Sequence, residues 1–197
     1  MKSEIILDKD VFNPDNLKFL NSDEFSVLLY MLSEERMFSP TIELHLQKIV
    51  EKGLLLRYTN KSKEKAKAII NKLSNKNLIS LLGQNDEYYT FAKLDTPIQN
   101  AVGLSAEGYL NTLVQVENTI QMHILQYVVI SVGNKQSFQS FTYKQLSNDT
   151  GVPLSVCKDT VDWLIENGLL LSQPIKRNSI NKVYDLTQFR EKERKNG

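Results

Sequence analysis

The sequence predicts a mainly α-helical fold with small β-hairpins, laid out as two tandem copies of one unit. Three observations carry that expectation. The stretches Ile70-Asn71-Lys72-Leu73-Ser74-Asn75-Lys76-Asn77-Leu78-Ile79 and Val161-Asp162-Trp163-Leu164-Ile165-Glu166-Asn167-Gly168-Leu169-Leu170 share one grammar at an offset of 91 residues. In each, an amphipathic helix stops at Asn77 or Gly168, residues that readily take the left-handed backbone of a helix C-cap, and two short apolar runs follow around polar turn residues. A chain of 197 residues accommodates two such units, each of about 90 residues. The composition, 41% hydrophobic and 24% charged, is that of an ordinary globular chain.

In chain order, residues 1–20 form an N-terminal arm or extra strand around Ile5-Ile6-Leu7 and Pro14. Residues 21–93 make the first unit. Its first helix carries the stripe Phe25, Leu28, Leu29 and Leu32, with Ser22 as the expected N-cap. Ile42, Leu44, Leu46, Ile49 and Val50 read equally as strand or helix. A turn at Thr59-Asn60, with Asn60 aligned to Gly151, leads into a second helix from Ser62 to Asn75 that buries Ala66, Ile69, Ile70 and Leu73. Leu78–Leu82 and Tyr88–Phe91 then form a hairpin around Gly83–Asp86.

Residues 94–115 are too apolar for a flexible linker, with Ile98, Val102, Leu104, Tyr109, Leu110 and Leu113, so part of the segment is expected to fold as a short helix. Residues 116–189 make the second unit. Ile120, Ile124, Tyr127 and Val128 mark its supporting helix, Thr142 caps a short helix carrying Leu146, and Gly151 supplies the positive-φ turn. The next helix buries Cys157, Thr160, Val161 and Leu164 at helical spacing. Leu169–Leu171 and Lys182–Leu186 are its hairpin strands, around the polar tip Pro174–Ser179. Residues 190–197 are a charged tail of mixed sign.

From Leu146 through Gly151 to Leu170, this order resembles the winged helix-turn-helix superfamily of bacterial regulators and replication proteins. The resemblance covers about 70 residues in each unit and implies two tandem winged helix-turn-helix domains with a DNA-binding role. Two such domains in one small chain resemble plasmid or phage replication initiators, primosomal proteins of the DnaD type and some transcriptional regulators.

Net charge is only +1, but its distribution is uneven. From Glu43 to Asn77 nine basic residues face three acidic ones, whereas Gln84 to Glu117 carries Asp86, Glu87, Asp95, Glu107 and Glu117 against Lys93. A recognition helix presents its early exposed residues to base edges. In the first unit these are Lys61, Lys63, Glu64 and Lys67, with Asn71 one turn on. Lysine suits guanine acceptors, asparagine suits adenine, and glutamate can accept from cytosine. Arg57, Lys65 and Lys72 are expected to reach phosphates, which supply affinity rather than sequence information. In the second unit the exposed face is Leu154, Ser155, Lys158, Asp159, Asp162 and Glu166, which is net acidic. Either Ser155 and Lys158 read bases while Lys176, Arg177 and Lys182 of the hairpin hold phosphates, or this unit faces a protein partner or a second copy.

The remaining chemistry-bearing residues read as structural. Cys157 falls on a buried stripe and reads as a core thiol. His45 and His123 have no Cys or carboxylate at metal-ligand spacing, so no metal or other cofactor is expected. Trp163, Tyr88, Tyr89 and Tyr184 read as packing residues. No phosphate-binding glycine loop, nucleophile elbow or paired carboxylates give an enzyme its residues. A single cysteine, no apolar run of about 18 residues and only three apolar residues after the N-terminal Lys2 predict a cytoplasmic protein with no membrane partner. The expected partner is double-stranded DNA, with a homodimer or a replication or transcription protein as further partners. The competing expectation is a tandem winged-helix interaction scaffold of the chromosome-organisation or polymerase-accessory kind.

Overall fold

The computed structural model describes residues 4–34, 41–92, 100–132, 138–174 and 182–185. For 138–140, 171–174 and 182–185 only the backbone is described. A first strand β1 (Glu4–Asp8) leads through a 3-10 turn (Lys9–Phe12) to α1 (Ser22–Ser33), β2 (Ile42–His45) and α2 (Leu46–Lys48), which widens into a π-turn (Ile49–Gly53). Then come α3 (Asn60–Asn75), β3 (Ser80–Gln84), β4 (Tyr88–Ala92), β5 (Ala101–Ser105), α4 (Ala106–Leu113) and α5 (Thr119–Val132). The order closes with β6 (Phe138–Phe141), α6 (Tyr143–Thr150), α7 (Leu154–Glu166), β7 (Leu171–Pro174) and β8 (Lys182–Asp185).

One sequence of elements therefore occurs twice, as α1-β2-α2-α3-β3-β4 and as α5-β6-α6-α7-β7-β8. Each closes a three-stranded antiparallel sheet in which the strand after the first helix pairs with the last strand, in the orders β2-β4-β3 and β6-β8-β7. In the first sheet Ile42 faces Phe91 and Leu44 faces Tyr89, so the alternation that buries Ile42 and Leu44 and exposes Glu43 covers one face with apolar groups. The strands β2 and β6 complete the hairpins that periodicity alone indicates.

The helix stops match at the level of individual hydrogen bonds. Asn77 N–H donates to Ser74 C=O (2.9 Å) and Leu78 N–H to Leu73 C=O (3.0 Å); at the offset of 91, Gly168 donates to Ile165 (3.0 Å) and Leu169 to Leu164 (2.8 Å). With φ of 54° at Asn77 and 69° at Gly168, both ends are Schellman caps. The turns before α3 and α7 do not match in this way. Asn60 is not the counterpart of Gly151: it is the first residue of α3, with Thr59 as N-cap. The left-handed position in the turn before α3 is Leu55 (φ 55°), reached as Leu54 N–H bonds back to Ile49 C=O (3.0 Å) and Leu56 N–H to Val50 C=O (3.2 Å). A leucine in left-handed backbone is strained by about 1–2 kcal/mol, and sequence patterning gives no reason to place one there. The N-cap of α1 is likewise Asn21, whose side chain accepts from Glu24 N–H (3.0 Å), rather than Ser22.

The segments outside the two units pair with each other. β1 runs antiparallel to β5 with Ile5 opposite Leu104 and Leu7 opposite Val102, and α4 follows β5 directly. At the centre α1 and α5 pack side by side. Both are apolar nearly all round, as helices buried on every side must be. Rings cross this contact: Phe25 stacks on His123 (4.6 Å between centroids), and Phe12 lies against Phe25 (5.0 Å), His123 (5.8 Å) and Tyr127 (5.3 Å). Buried residues of both units and of β1 and β5 form a single hydrophobic core.

Candidate nucleic-acid interface

α3 begins from a reciprocal cap. Thr59 Oγ1 accepts from Ser62 N–H (3.2 Å) and Ser62 Oγ accepts from Thr59 N–H (2.8 Å), while the Ser62 hydroxyl lies 2.7 Å from the Arg57 carbonyl. The cap ties the preceding turn to the first helical turn. Ser62, Ala66, Ile69, Ile70 and Leu73 face the core. At 3.6 residues per turn, the opposite face holds Lys61, Glu64, Ala68, Asn71 and Asn75, all exposed.

The lysines of α3 divide between the two flanks. On one flank, Lys65 Nζ pairs with Asp23 (2.6 Å), Lys72 Nζ with Glu24 Oε1 (3.2 Å) and Lys76 Nζ with Glu24 Oε2 (3.0 Å). Asp23 also accepts from Thr119 Oγ1 (2.7 Å), and the Phe19 carbonyl also accepts from Lys76. Glu24 is only 5% exposed, so its charge is sustained by these two ammonium groups. On the other flank lie Lys63, half-buried, and Lys67, whose side chain is 27% exposed and 3.5 Å from Glu64. Patterning gives no hint of Asp23 and Glu24 as lysine partners: acidic residues in a first helical turn also suit the helix dipole on their own, and their partners lie about 50 residues away.

The residues singled out from sequence are thus placed as follows. Lys61, Glu64 and Asn71 share the outward face, Lys63 borders it, and Lys61, Lys63 and Arg57 have no ion pair among the described residues. Lys67 leans to Glu64. Lys72 is 60% exposed but turned to Glu24, which leaves less of its charge for a phosphate. Arg57 is exposed at the rim of an open groove of about 720 Å³ that it shares with Gln47, Glu51, Leu56, Tyr58 and Glu117. In α7, Ser155, Lys158, Asp159 and Glu166 are exposed, and Asp162 lies 3.3 Å from the Tyr143 hydroxyl. Lys176 and Arg177 fall outside the described residues; Lys182 opens β8, opposite Phe141 and Pro174, with only its backbone described.

His123 is fully buried. Its Nδ1 lies 3.1 Å from Ser22 Oγ, its Nε2 has no hydrogen-bond partner among the described residues, and burial pushes its pKa down to about 3. It is a neutral spacer between α1 and α5. Cys157 is buried 3.4 Å from the Val152 carbonyl, and burial pushes its thiol up. Among the described residues no group of three His, Cys, Asp or Glu is placed to hold a metal ion, and no helix is long and apolar enough to cross a membrane. No protein-family model matches the chain, and comparison with curated proteins finds no match.

Proposed function

We propose that this chain is a sequence-specific double-stranded DNA-binding protein with two tandem winged helix-turn-helix domains, serving as a replication initiator, a primosomal protein or a transcriptional regulator. The observation that carries the reading is the repeated helix-strand-helix-helix-strand-strand unit, with its last helix turned outward before a hairpin. In the first unit that helix presents Lys61 and Asn71 on its open face, flanked by Lys63 and preceded by Arg57. These are donor types suited to base edges and phosphates. Lys67 contributes through a side chain shared with Glu64. No residue is assigned a catalytic role.

The acidic outer face of α7 favours a second reading for the second unit alone. Asp159 and Glu166 are exposed there beside Ser155 and Lys158, and phosphates would be repelled from such a face. Ser155 and Lys158 are its donors toward DNA, and a protein partner or a second copy is the alternative occupant of this face, as in a tandem winged-helix interaction scaffold. Enrichment of genomic duplex fragments by the full chain, followed by sequencing, separates the readings. Recovery of a defined site supports DNA reading, and a site at an origin or beside a promoter divides initiator from regulator. Recovery of no duplex fragment even at low salt contradicts it and leaves the scaffold.

A further inference from the structure

We propose that the segment 13–20, acting through Phe19, locks the two helix-turn-helix units into one rigid reader, so that the chain recognises a composite duplex site whose two parts stand at a single fixed separation. The inference rests on the DNA-binding reading above and adds to it the residue that sets the spacing.

Phe19 touches both readers. Its carbonyl accepts from Lys76 at the C-terminal end of α3. Its ring covers Gly151, the left-handed cap of α6 that launches α7 three residues later: a Cβ on Gly151 would stand 2.7 Å from Phe19 Cζ and 3.3 Å from Cε1. The segment that carries Phe19 is itself pinned. Phe19 N–H bonds to Asn16 C=O (3.0 Å), Lys18 N–H to Asn16 Oδ1 (2.9 Å) and Leu20 N–H to Val11 C=O (3.0 Å). Lys18 Nζ pairs with Asp8 of β1 at 2.6 Å, and Leu20 is fully buried. Two further ties cross the same boundary in parallel: Lys65 to Asp23 to Thr119, and Ser22 to His123. Lys76, Phe19 and Gly151 thus form one route from one candidate recognition helix to the other, and it does not pass through the 94–115 connection.

A rigid reader has a specific consequence on DNA. Each inserted base pair moves the second half of a site by about 3.4 Å and turns it by about 34°, a displacement that two packed units cannot follow. The full-length chain is used to enrich a duplex site from a random pool, and its affinity is then measured on variants with about one to six base pairs inserted between the two contacted blocks. Wild type is expected to lose roughly tenfold or more on each insertion. Phe19→Ala is expected to bind the uninterrupted site within about threefold of wild type and to lose about threefold less than wild type on insertion, the α1–α5 contact still holding the units together; a loss equal to wild type's overturns the role of Phe19. Equal tolerance in wild type, or an enriched site with one block only, overturns the rigid reader while leaving DNA binding intact. Failure to enrich any duplex overturns the DNA reading and the composite site together. A distance distribution between spin labels on Asn75→Cys and Asp159→Cys, in a Cys157→Ala background, gives an answer even if Phe19→Ala fails to fold: one narrow peak in the otherwise native chain supports the lock, and a broad distribution overturns it.

Discussion

Gly151 and Gly168 share the left-handed backbone, at φ 67° and 69°, but not their surroundings. A methyl at Gly168 meets nothing within 4 Å, whereas at Gly151 it meets the Phe19 ring. Gly168→Ala should therefore cost only the backbone term, about 1–2 kcal/mol. Gly151→Ala adds the overpacking of an aromatic contact, about 1–3 kcal/mol more. Urea denaturation of the two variants checks the order; equal losses would mean that Phe19 yields freely and does not brace the turn. His123 makes a second residue-level prediction. The unfolded chain takes up a proton at this histidine below about pH 6.5, while the folded chain keeps it neutral down to about 3. Between those values the unfolded state binds more protons, so stability falls as pH falls, by about 1.4 kcal/mol per pH unit from this group. From about pH 6.5 to 5, His123→Phe should flatten the slope. An unchanged slope in that variant would assign the acid sensitivity elsewhere.

At the scale of elements, α3 is held by charge along one flank and is open on its outward face. Lys76 is 25% exposed and serves both Glu24 and the Phe19 carbonyl, whereas Lys72 is 60% exposed and serves Glu24 alone. Lys76→Ala leaves a buried carboxylate with half its compensation and should cost about 2–3 kcal/mol. Lys72→Ala, removing a largely solvated partner, should cost less than about 1 kcal/mol. Thermal or urea denaturation of both variants tests the asymmetry, and a reversed order would contradict the buried role of Glu24. The helices were legible from the sequence because each buries a stripe at a period of 3.6, as in Ala66, Ile69, Ile70 and Leu73, and because Asn77 and Gly168 stop two of them in the same way. The first strands of the two sheets were less legible. Ile42–His45 runs straight into helical Leu46, and Phe138–Phe141 sets its phenylalanines three apart, not two. The pairing of β1 with β5 joins Ile5 to Leu104, a long-range contact on which local patterning is silent. For the candidate site, helical spacing expected Lys61, Lys63, Glu64, Lys67 and Asn71 on the exposed face; Lys61, Glu64 and Asn71 are there, whereas Lys63 and Lys67 lie half-buried on a flank. Spacing could not show that Lys65, Lys72 and Lys76 are held by Asp23 and Glu24, because a flank lysine meets its partner only once α1 is packed beside α3.

Across the whole molecule, a near-neutral net charge conceals an unequal pair of units. The first has cations at Arg57, Lys61 and Lys63 with no ion pair among the described residues, and the second turns carboxylates outward from α7. Both are built on one core through α1 and α5, so charge on one unit is displayed at a fixed place relative to the other. A grip of α3 on duplex DNA through Arg57, Lys61 and Lys63 is tested most directly by affinity for a duplex as a function of salt. Log affinity is expected to fall linearly with log salt, with a slope of roughly −0.9 per phosphate contacted. Lys61→Ala combined with Lys63→Ala should make the slope shallower by up to about two such contacts, whereas Lys72→Ala, already committed to Glu24, should leave it nearly unchanged. Undetectable duplex binding at low salt, or a slope that Lys72→Ala lowers as much as the double variant does, would contradict it.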